Sequence, residues 1–274
     1  MKYLKVFFQL LMLLVIVGIP IKTAELVVEK REDVIEGSLE IKEPQEELII
    51  EQLKKEETVI KNNTPVTTGS GWWAYPENIK ETTRNGNDLL VLVNKEYKLP
   101  STYAPTDLVK ASNSGIRRGD SYYLRNILIP DLTAMITASK AQGIDLSIVS
   151  AYRSYATQQT TYNYWLTKNN GDVAYVDTFS ARAGHSQHQL GTAMDFSTSE
   201  INDVLGDSFG NTKASKWLVE NSYKYGFVLS FPFGYETTTG YKYESWHYRY
   251  IGKSNALEMK NSGNILELYL RSKN

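Results

Sequence analysis

Two short segments of the sequence bring together imidazole and carboxylate side chains that could bind a metal. The first contains His188 and Asp195, and the second contains Glu244 and His247. A catalytic zinc site takes three nitrogen or oxygen ligands and leaves one position open for water. His188, Asp195 and His247 would supply such a set, and Glu244 would then be left to accept a proton from the water.

The composition further limits which residue types could bind a metal. The chain has no cysteine and only three histidines. The absence of cysteine excludes disulfides, thiolate zinc sites and cysteine nucleophiles, so that a metal must be held by His, Asp or Glu. The formal net charge is −1, which provides no overall field to attract nucleic acid. Neither charge nor motif supports a nucleic-acid function.

The spacing of the candidate residues indicates the elements that must position them. The gap between His188 and Asp195 is too long for one helix face, and suits a loop that leads into a strand, with Gly191 at the bend. Glu244 and His247 are three positions apart, which would point them to opposite faces of a regular strand. We therefore expect Glu244 at a strand entry or an irregularity.

Each of these residues also has a purely structural interpretation. A single histidine is more often a surface or hydrogen-bonded structural residue than a ligand. Glu244 alone would be an ordinary surface residue, and Trp246 alone a core or interface residue. Asp195 lies between Met194 and Phe196, and is harder to explain in this way because unpaired charges are rarely buried. The joint pattern favours the metal site.

The chain is expected to have three parts. Residues 1–24 have a basic start and a mostly apolar segment shorter than the roughly 20 residues of a spanning helix. This pattern is typical of a signal peptide, although Lys22 leaves an uncleaved amino-terminal membrane anchor open. Either interpretation predicts an exported protein at the extracytoplasmic face of the membrane or in the cell wall. Residues 25–71 predict a charged, flexible stalk and linker, and residues 72–274 a single catalytic domain.

Helical and strand patterns are mixed within this domain without a regular βαβ alternation, which favours an α+β fold. Residues 89–93 and 192–197 predict strands. Residues 131–142 and 213–225 predict helices, the second of them ended by Gly226.

Several motifs in a fixed order resemble a known family. Residues 186–195 read Ser-Gln-His-Gln-Leu-Gly-Thr-Ala-Met-Asp, and residues 244–247 read Glu-Ser-Trp-His. Both are similar to the signature motifs of the VanY-like D-alanyl-D-alanine carboxypeptidases. These belong to the LAS group of metallopeptidases, which also includes L,D-carboxypeptidases and VanX-type dipeptidases. Residues 92–95 and 150–155 match as well, so that the resemblance extends over about residues 90–252.

This resemblance implies a small antiparallel sheet flanked by helices, as in hedgehog and D,D-peptidase domains. It implies one zinc ion bound by His188, Asp195 and His247, with Glu244 as the catalytic base that assists attack by water. Arg153 would lie beside the scissile bond or the substrate carboxylate, since a guanidinium can stabilise an oxyanion or bind a carboxylate through paired hydrogen bonds. A structural salt bridge is the alternative for Arg153.

The resemblance also implies three substrate contacts: Ser186, Gln159 and Trp246. Gln159 could equally be a helix-surface residue. Gln187 is a departure, because Glu is frequent there in relatives, and it removes a negative charge near the site. His185 is expected to be a neighbour of the metal ligands rather than a ligand.

The expected reaction is removal of the terminal D-alanine from peptidoglycan stem peptides by a zinc-dependent D,D-carboxypeptidase. An L,D-carboxypeptidase acting on tetrapeptide stems is the alternative. A peptidoglycan endopeptidase would need a cleft open at both ends, and Arg153 favours a closed pocket. A catalytically silent wall-binding module is disfavoured by the complete ligand set and Glu244. The chain is expected to be a monomer that meets the membrane only through its amino-terminal segment.

Overall fold

The computed structural model describes residues 71–274. The predicted signal or anchor segment, 1–24, and almost all of the predicted stalk, 25–71, lie outside the described residues. The described strands are β1 (Lys80–Glu81), β2 (Tyr97–Lys98), β3 (Leu108–Lys110), β4 (Tyr123–Arg125), β5 (Ser147–Ser150), β6 (Ala193–Ser197), β7 (Phe227–Leu229) and β8 (His247–Tyr250). The described α-helices are α1 (Ile129–Ala141), α2 (Tyr155–Lys168), α3 (Val173–Asp177), α4 (Lys213–Asn221), α5 (Glu236–Thr239), α6 (Lys253–Ser262) and α7 (Leu266–Arg271).

Seven short 3-10 helices connect these elements in the described part of the chain. They are Ala111–Ser114, Gly119–Ser121, Asn126–Leu128, Gln187–Leu190, Ser199–Ile201, Asp207–Asn211 and Ser222–Tyr225. None of the helices between residues 71 and 274 has the length and apolar character needed to cross a membrane.

The central sheet has four strands in the order β5-β6-β8-β7, and each neighbouring pair is antiparallel. A second antiparallel pair joins β3 to β4, whereas β1 and β2 pair in parallel. Helices and small antiparallel sheets are therefore combined in one fold, which confirms the α+β prediction.

Alternation along the central strands separates the core from the polar residues. On β6, Met194 and Phe196 belong to the main hydrophobic cluster, which also contains Leu132 and Met135 of α1. Because successive side chains of a strand point to opposite faces, Asp195 projects away from this cluster. The same alternation on β8 sends Tyr248 into the core and directs its neighbours to the polar face.

The strand predicted at residues 89–93 is wrong. This segment is buried only from Val91 onward and pairs with no strand among residues 71–274. The carbonyl oxygens of Leu89 and Val91 accept hydrogen bonds from Nη2 of Arg249, at 3.0 and 2.7 Å. A distant arginine thus supplies donors that a neighbouring strand would otherwise provide.

The helix predicted at residues 213–225 is divided in the structure. Helix α4 ends at Asn221, and a 3-10 helix continues as far as Tyr225. Gly226 follows in the left-handed conformation, with φ 87°, and ends the helical segment where the sequence predicted.

Candidate metal centre

The register of the central sheet brings two of the predicted ligands together. Asp195 on β6 is the direct cross-strand partner of His247, the first residue of β8. Both side chains are buried, and Oδ1 of Asp195 lies 3.0 Å from Nδ1 of His247. Pairing of two antiparallel strands is therefore enough to unite residues that are 52 positions apart.

His188 reaches the same place from the 3-10 helix Gln187–Leu190 that precedes β6. Ser186 caps this helix, and its hydroxyl accepts a hydrogen bond from the backbone N–H of His188. Gly191 ends the helix with φ 68°, and a Cβ there would come within 3.0 Å of side-chain atoms of Arg125 and Leu108. The predicted bend at Gly191 is confirmed, and both conformation and space favour glycine at this position.

The ring of His188 is oriented by the backbone. Its Nδ1 donates a hydrogen bond to the carbonyl oxygen of Ala151 at 2.7 Å, and its Nε2 lies 3.3 Å from Oδ2 of Asp195. Donation from one ring nitrogen fixes the tautomer and leaves the lone pair of the other nitrogen available to a metal.

The three predicted ligands offer atoms that all lie within 4.8 Å of one another. Burial and the charge of Arg153 lower the pKa of His188 to about 4, so that its ring is neutral, as a ligand requires. Asp195 is buried between the two imidazoles, with Oδ2 3.3 Å from Nε2 of His188 and Oδ1 3.0 Å from Nδ1 of His247. Two imidazoles and one carboxylate are a donor set that fits zinc.

Gln187 acts on His247 in a way that the motif did not reveal. Its Oε1 accepts a hydrogen bond from Oγ of Ser230 at 2.8 Å and lies 3.2 Å from Nε2 of His247. An amide oxygen can only accept, so this contact requires the proton on Nε2. Nδ1 of His247 then presents its lone pair towards Asp195 and Glu244.

Glu244 lies just before β8, in a segment without regular structure, and a turn at residues 245–246 separates it from His247. This confirms the expectation of a strand entry. Its Oε2 is 3.7 Å from Nδ1 of His247. Burial and the negative charge of Asp195 raise the pKa of Glu244 well above its ordinary value, and Arg153 opposes them.

Arg153 lies immediately before the capping residue of helix α2. Its backbone N–H donates to the carbonyl oxygen of His188 at 3.2 Å. Its guanidinium is buried, its Nε has no hydrogen-bond partner in the described part of the chain, and no salt bridge to it occurs there. Burial lowers the pKa of Arg153, and Asp195 and Glu244 oppose that shift. The geometry therefore favours binding of an anionic ligand by Arg153 over a structural salt bridge.

Of the two glutamines at the start of α2, Gln158 faces the cavity, and Gln159 occupies the helix surface that was its alternative position. Gln159 is exposed and does not line the cavity beside the metal centre, whereas Gln158 is 1% exposed and lines it. Nε2 of Gln158 donates to the carbonyl oxygen of Ala181 at 2.7 Å, and its Oε1 has no partner within residues 71–274. Neighbouring residues of a helix point about 100° apart, so only one of the two can face the cavity.

The remaining predicted contacts surround the same cavity. Ser186 and Trp246 line it, as does His185. Nδ1 of His185 lies 2.7 Å from the carbonyl oxygen of Asn94, and its ring packs edge-on against Tyr75. His185 is outside the group of possible metal ligands, as expected.

The cavity has a volume of about 430 Å³, and we call two groups of its lining residues its inner end and its outer end. The inner end is defined by His188, Asp195, Glu244, His247 and Arg153. The outer end is defined by Trp165, Tyr175, Phe179 and Lys242.

The chain is similar to known carboxypeptidases. Residues 121–253 match the VanY family, described as D-alanyl-D-alanine carboxypeptidase. The chain is 37% identical over 196 residues to the putative carboxypeptidase YodJ of Bacillus subtilis (strain 168), covering 69% of each protein.

Two solved structures are also similar. The LD-carboxypeptidase LdcB shares 31% identity with a TM-score of 0.63, over 76% of this chain and 98% of that one. A mutant of the vancomycin-resistance D,D-pentapeptidase VanY, in complex with Zn(II), shares 30% identity with a TM-score of 0.55, over 66% of this chain and 98% of that one. The chain therefore belongs to the VanY family of D-alanyl-D-alanine carboxypeptidases and is a zinc metallocarboxypeptidase.

Proposed function

We propose that this protein removes the terminal D-alanine from peptidoglycan stem peptides as a D,D-carboxypeptidase. One observation carries the proposal: Glu244 and Arg153 converge with the three proposed zinc ligands, His188, Asp195 and His247, at the inner end of one cavity. Glu244 is a carboxylate that can transfer a proton, and Arg153 is a cation that can bind an anion. Both lie beside the metal site. These are the groups needed to hydrolyse a peptide bond next to a terminal carboxylate.

When bound, zinc lowers the pKa of a water ligand and polarises the scissile carbonyl. Glu244 accepts a proton from the attacking water and delivers it to the leaving amine. Its position just before β8, with Oε2 3.7 Å from Nδ1 of His247, places the carboxylate beside the metal site, where it can take up and release this proton.

Arg153 supplies the positive charge of the site. Its Nε has no hydrogen-bond partner among residues 71–274, and its guanidinium either binds the terminal carboxylate of the substrate through paired hydrogen bonds or stabilises the developing oxyanion. Gln158 replaces Gln159 in the proposed substrate contacts, because its buried Oε1 is without a partner among the described residues and lines the cavity. Ser186 and Trp246 complete the contacts.

An L,D-carboxypeptidase is the second candidate, and the similarity to LdcB favours it. Both reactions release D-alanine, and they differ in the configuration of the residue before the scissile bond. The match of residues 121–253 to a family of D-alanyl-D-alanine carboxypeptidases favours the D,D reaction. The similarity to a VanY structure named a D,D-pentapeptidase favours it as well. Since peptidoglycan lies outside the cytoplasmic membrane, the proposal also requires export, for which residues 1–24 have a suitable pattern.

The test uses the purified protein and defined pentapeptide and tetrapeptide muropeptides, with released D-alanine followed by mass spectrometry. We expect the pentapeptide to be converted to the tetrapeptide and no further. Conversion of tetrapeptide to tripeptide as the faster reaction would favour the L,D alternative. Release of D-alanine from neither substrate would contradict both.

A further inference from the structure

The outer end of the cavity continues into a strip of aromatic rings on the protein surface. The strip is defined by Tyr164, Trp165, Phe179 and Tyr175, whose neighbouring rings meet edge to face at centroid distances of 5.2, 5.4 and 5.4 Å. Tyr164, Trp165 and Tyr175 are 52%, 38% and 47% exposed. An exposed apolar surface continuous with a catalytic cavity marks a place for substrate.

One cation is held at the edge of this strip. Nζ of Lys242 lies 4.4 Å from the ring centroid of Tyr175 and 5.9 Å from that of Phe179. Its backbone N–H donates to the carbonyl oxygen of Thr178 at 2.8 Å, which ties its own segment to the one that carries Phe179. The two rings favour a position over their faces but accept none of the strong hydrogen bonds that an ammonium can donate.

Lys242 faces the cavity without an acidic partner. It lines the cavity, and no carboxylate lies within salt-bridge distance of it anywhere in residues 71–274. The other arginine or lysine that lines the cavity is Arg153, at the inner end. Lys242 also precedes Glu244 by two positions in the chain, and both residues line the cavity.

We propose that the aromatic strip and Lys242 bind the part of the stem peptide on the amino side of the scissile bond, with Lys242 paired to a free carboxylate on that part. This inference rests on the proposed function and specifies its substrate class. The inner cation takes the anion at the end of the peptide, and the outer cation takes a second anion further along it. Stem peptides in which that second carboxylate is converted to a carboxamide are then poorer substrates.

The test uses synthetic pentapeptides ending in D-Ala-D-Ala, in which each of the three preceding residues in turn carries either a carboxylate or the matching carboxamide. At one of these positions we expect kcat/KM to favour the carboxylate by about 10-fold, the effect of one charge-assisted hydrogen bond. Lys242→Gln should reduce that ratio to about one. The full chain is used for both proteins.

The matched control is Lys168→Gln. Nζ of Lys168 lies 5.6 Å from the ring of Tyr164 at the far end of the strip, but Lys168 does not line the cavity. This variant should keep the carboxylate preference of the unaltered protein. No preference at any position, or a preference that survives in Lys242→Gln, would overturn the inference.

A binding measurement separates this inference from the proposed reaction. Calorimetric titration of the same peptides into the Glu244→Gln variant, with and without Lys242→Gln, reports the carboxylate preference without turnover. If the unaltered protein releases no D-alanine from any peptide, the proposed function fails, and the titration still decides whether Lys242 selects a carboxylate.

Discussion

The two ends of the cavity differ in how their side chains are held. At the inner end, strand register sets Asp195 against His247, a backbone carbonyl orients His188, and Gln187 orients His247. At the outer end, the side chain of Lys242 lies over the rings of Tyr175 and Phe179 and has no salt bridge within residues 71–274. Fixed, buried groups suit bond-breaking, which depends on sub-ångström placement, whereas a looser polar and aromatic surface suits binding. Substitutions at the inner end should therefore alter kcat or the affinity for the metal. Substitutions at the outer end should alter KM.

The largest effect is expected for Glu244→Gln. The substitution keeps the shape of the side chain but removes the group that accepts and returns the proton, so kcat should fall by about 10²–10⁴-fold. Released D-alanine measures the rate, and elemental analysis should find an unchanged zinc content. Loss of zinc together with activity would instead assign Glu244 to the ligand set.

Gln187→Leu should weaken zinc binding by about 10–100-fold, the usual range for a residue that orients a histidine ligand. The reason is that Nε2 of His247 would lose its acceptor. Affinity can be measured by competition with a chromophoric chelator, and the tautomer of His247 by ¹⁵N NMR.

Two matched variants sharpen the prediction for Gln187. Gln187→Glu retains an acceptor and should retain affinity, and Ser230→Ala removes only the second hydrogen bond of Gln187 and should have a smaller effect. Equal losses in all three variants would contradict a specific role for the Gln187 oxygen.

Gln158→Ala should raise KM by about 5-fold, the effect of losing one hydrogen bond from an N–H of the substrate to the Gln158 oxygen, with kcat less affected. Gln159→Ala is the matched control, since its side chain is exposed one position further along the same helix. The KM of both variants for the pentapeptide checks the assignment. A larger change in Gln159→Ala would restore the assignment made from the sequence.

The smallest effect on activity is expected at Lys95, which is held over aromatic rings as Lys242 is, but inside the protein. Its Nζ lies 4.3 and 4.2 Å from the ring centroids of Tyr75 and Tyr241. Burial lowers the pKa of Lys95 from 10.5 to about 7, although Asp177 opposes that shift. Between these two values the unfolded chain binds a proton that the folded chain does not, so this lysine makes the free energy of unfolding rise with pH.

The Lys95→Met variant should lack this rise of the free energy of unfolding with pH. Urea unfolding at several pH values between 7 and 10 would measure it, with the exposed Lys98→Met as a control that keeps the rise. Parallel curves for the unaltered protein and Lys95→Met would contradict the depressed pKa.

Much of the inner end can be predicted from the sequence, because the positions of its residues depend on residues nearby in the chain. The bend at Gly191 and the alternation around Asp195 are readable from residue type and spacing. The position of Glu244 before a strand follows from the same reasoning. The strand prediction for residues 89–93 was wrong because the apolar pattern of this segment fits a strand. Its carbonyl oxygens at Leu89 and Val91 instead accept hydrogen bonds from Arg249, which is distant in the chain.

The roles of the glutamines depend on three-dimensional information. Choosing between Gln158 and Gln159 requires the rotational phase of α2, which the pattern of that helix does not fix. Gln187 adjoins His188 in the motif, yet its oxygen contacts His247 from a different strand. The aromatic strip brings Trp165 of α2 against Phe179, 14 positions later in the chain, and only folding makes these two rings neighbours.

The most direct test of a zinc-dependent release of D-alanine is a metal titration. Protein freed of metal by dialysis against a chelator is titrated with zinc while D-alanine release from the pentapeptide is followed. We predict no release without metal, a linear recovery that saturates at one zinc per chain, and no recovery in His247→Ala at the same zinc concentrations. Full activity in the metal-free protein, or recovery in His247→Ala identical to that of the unaltered protein, would contradict this account.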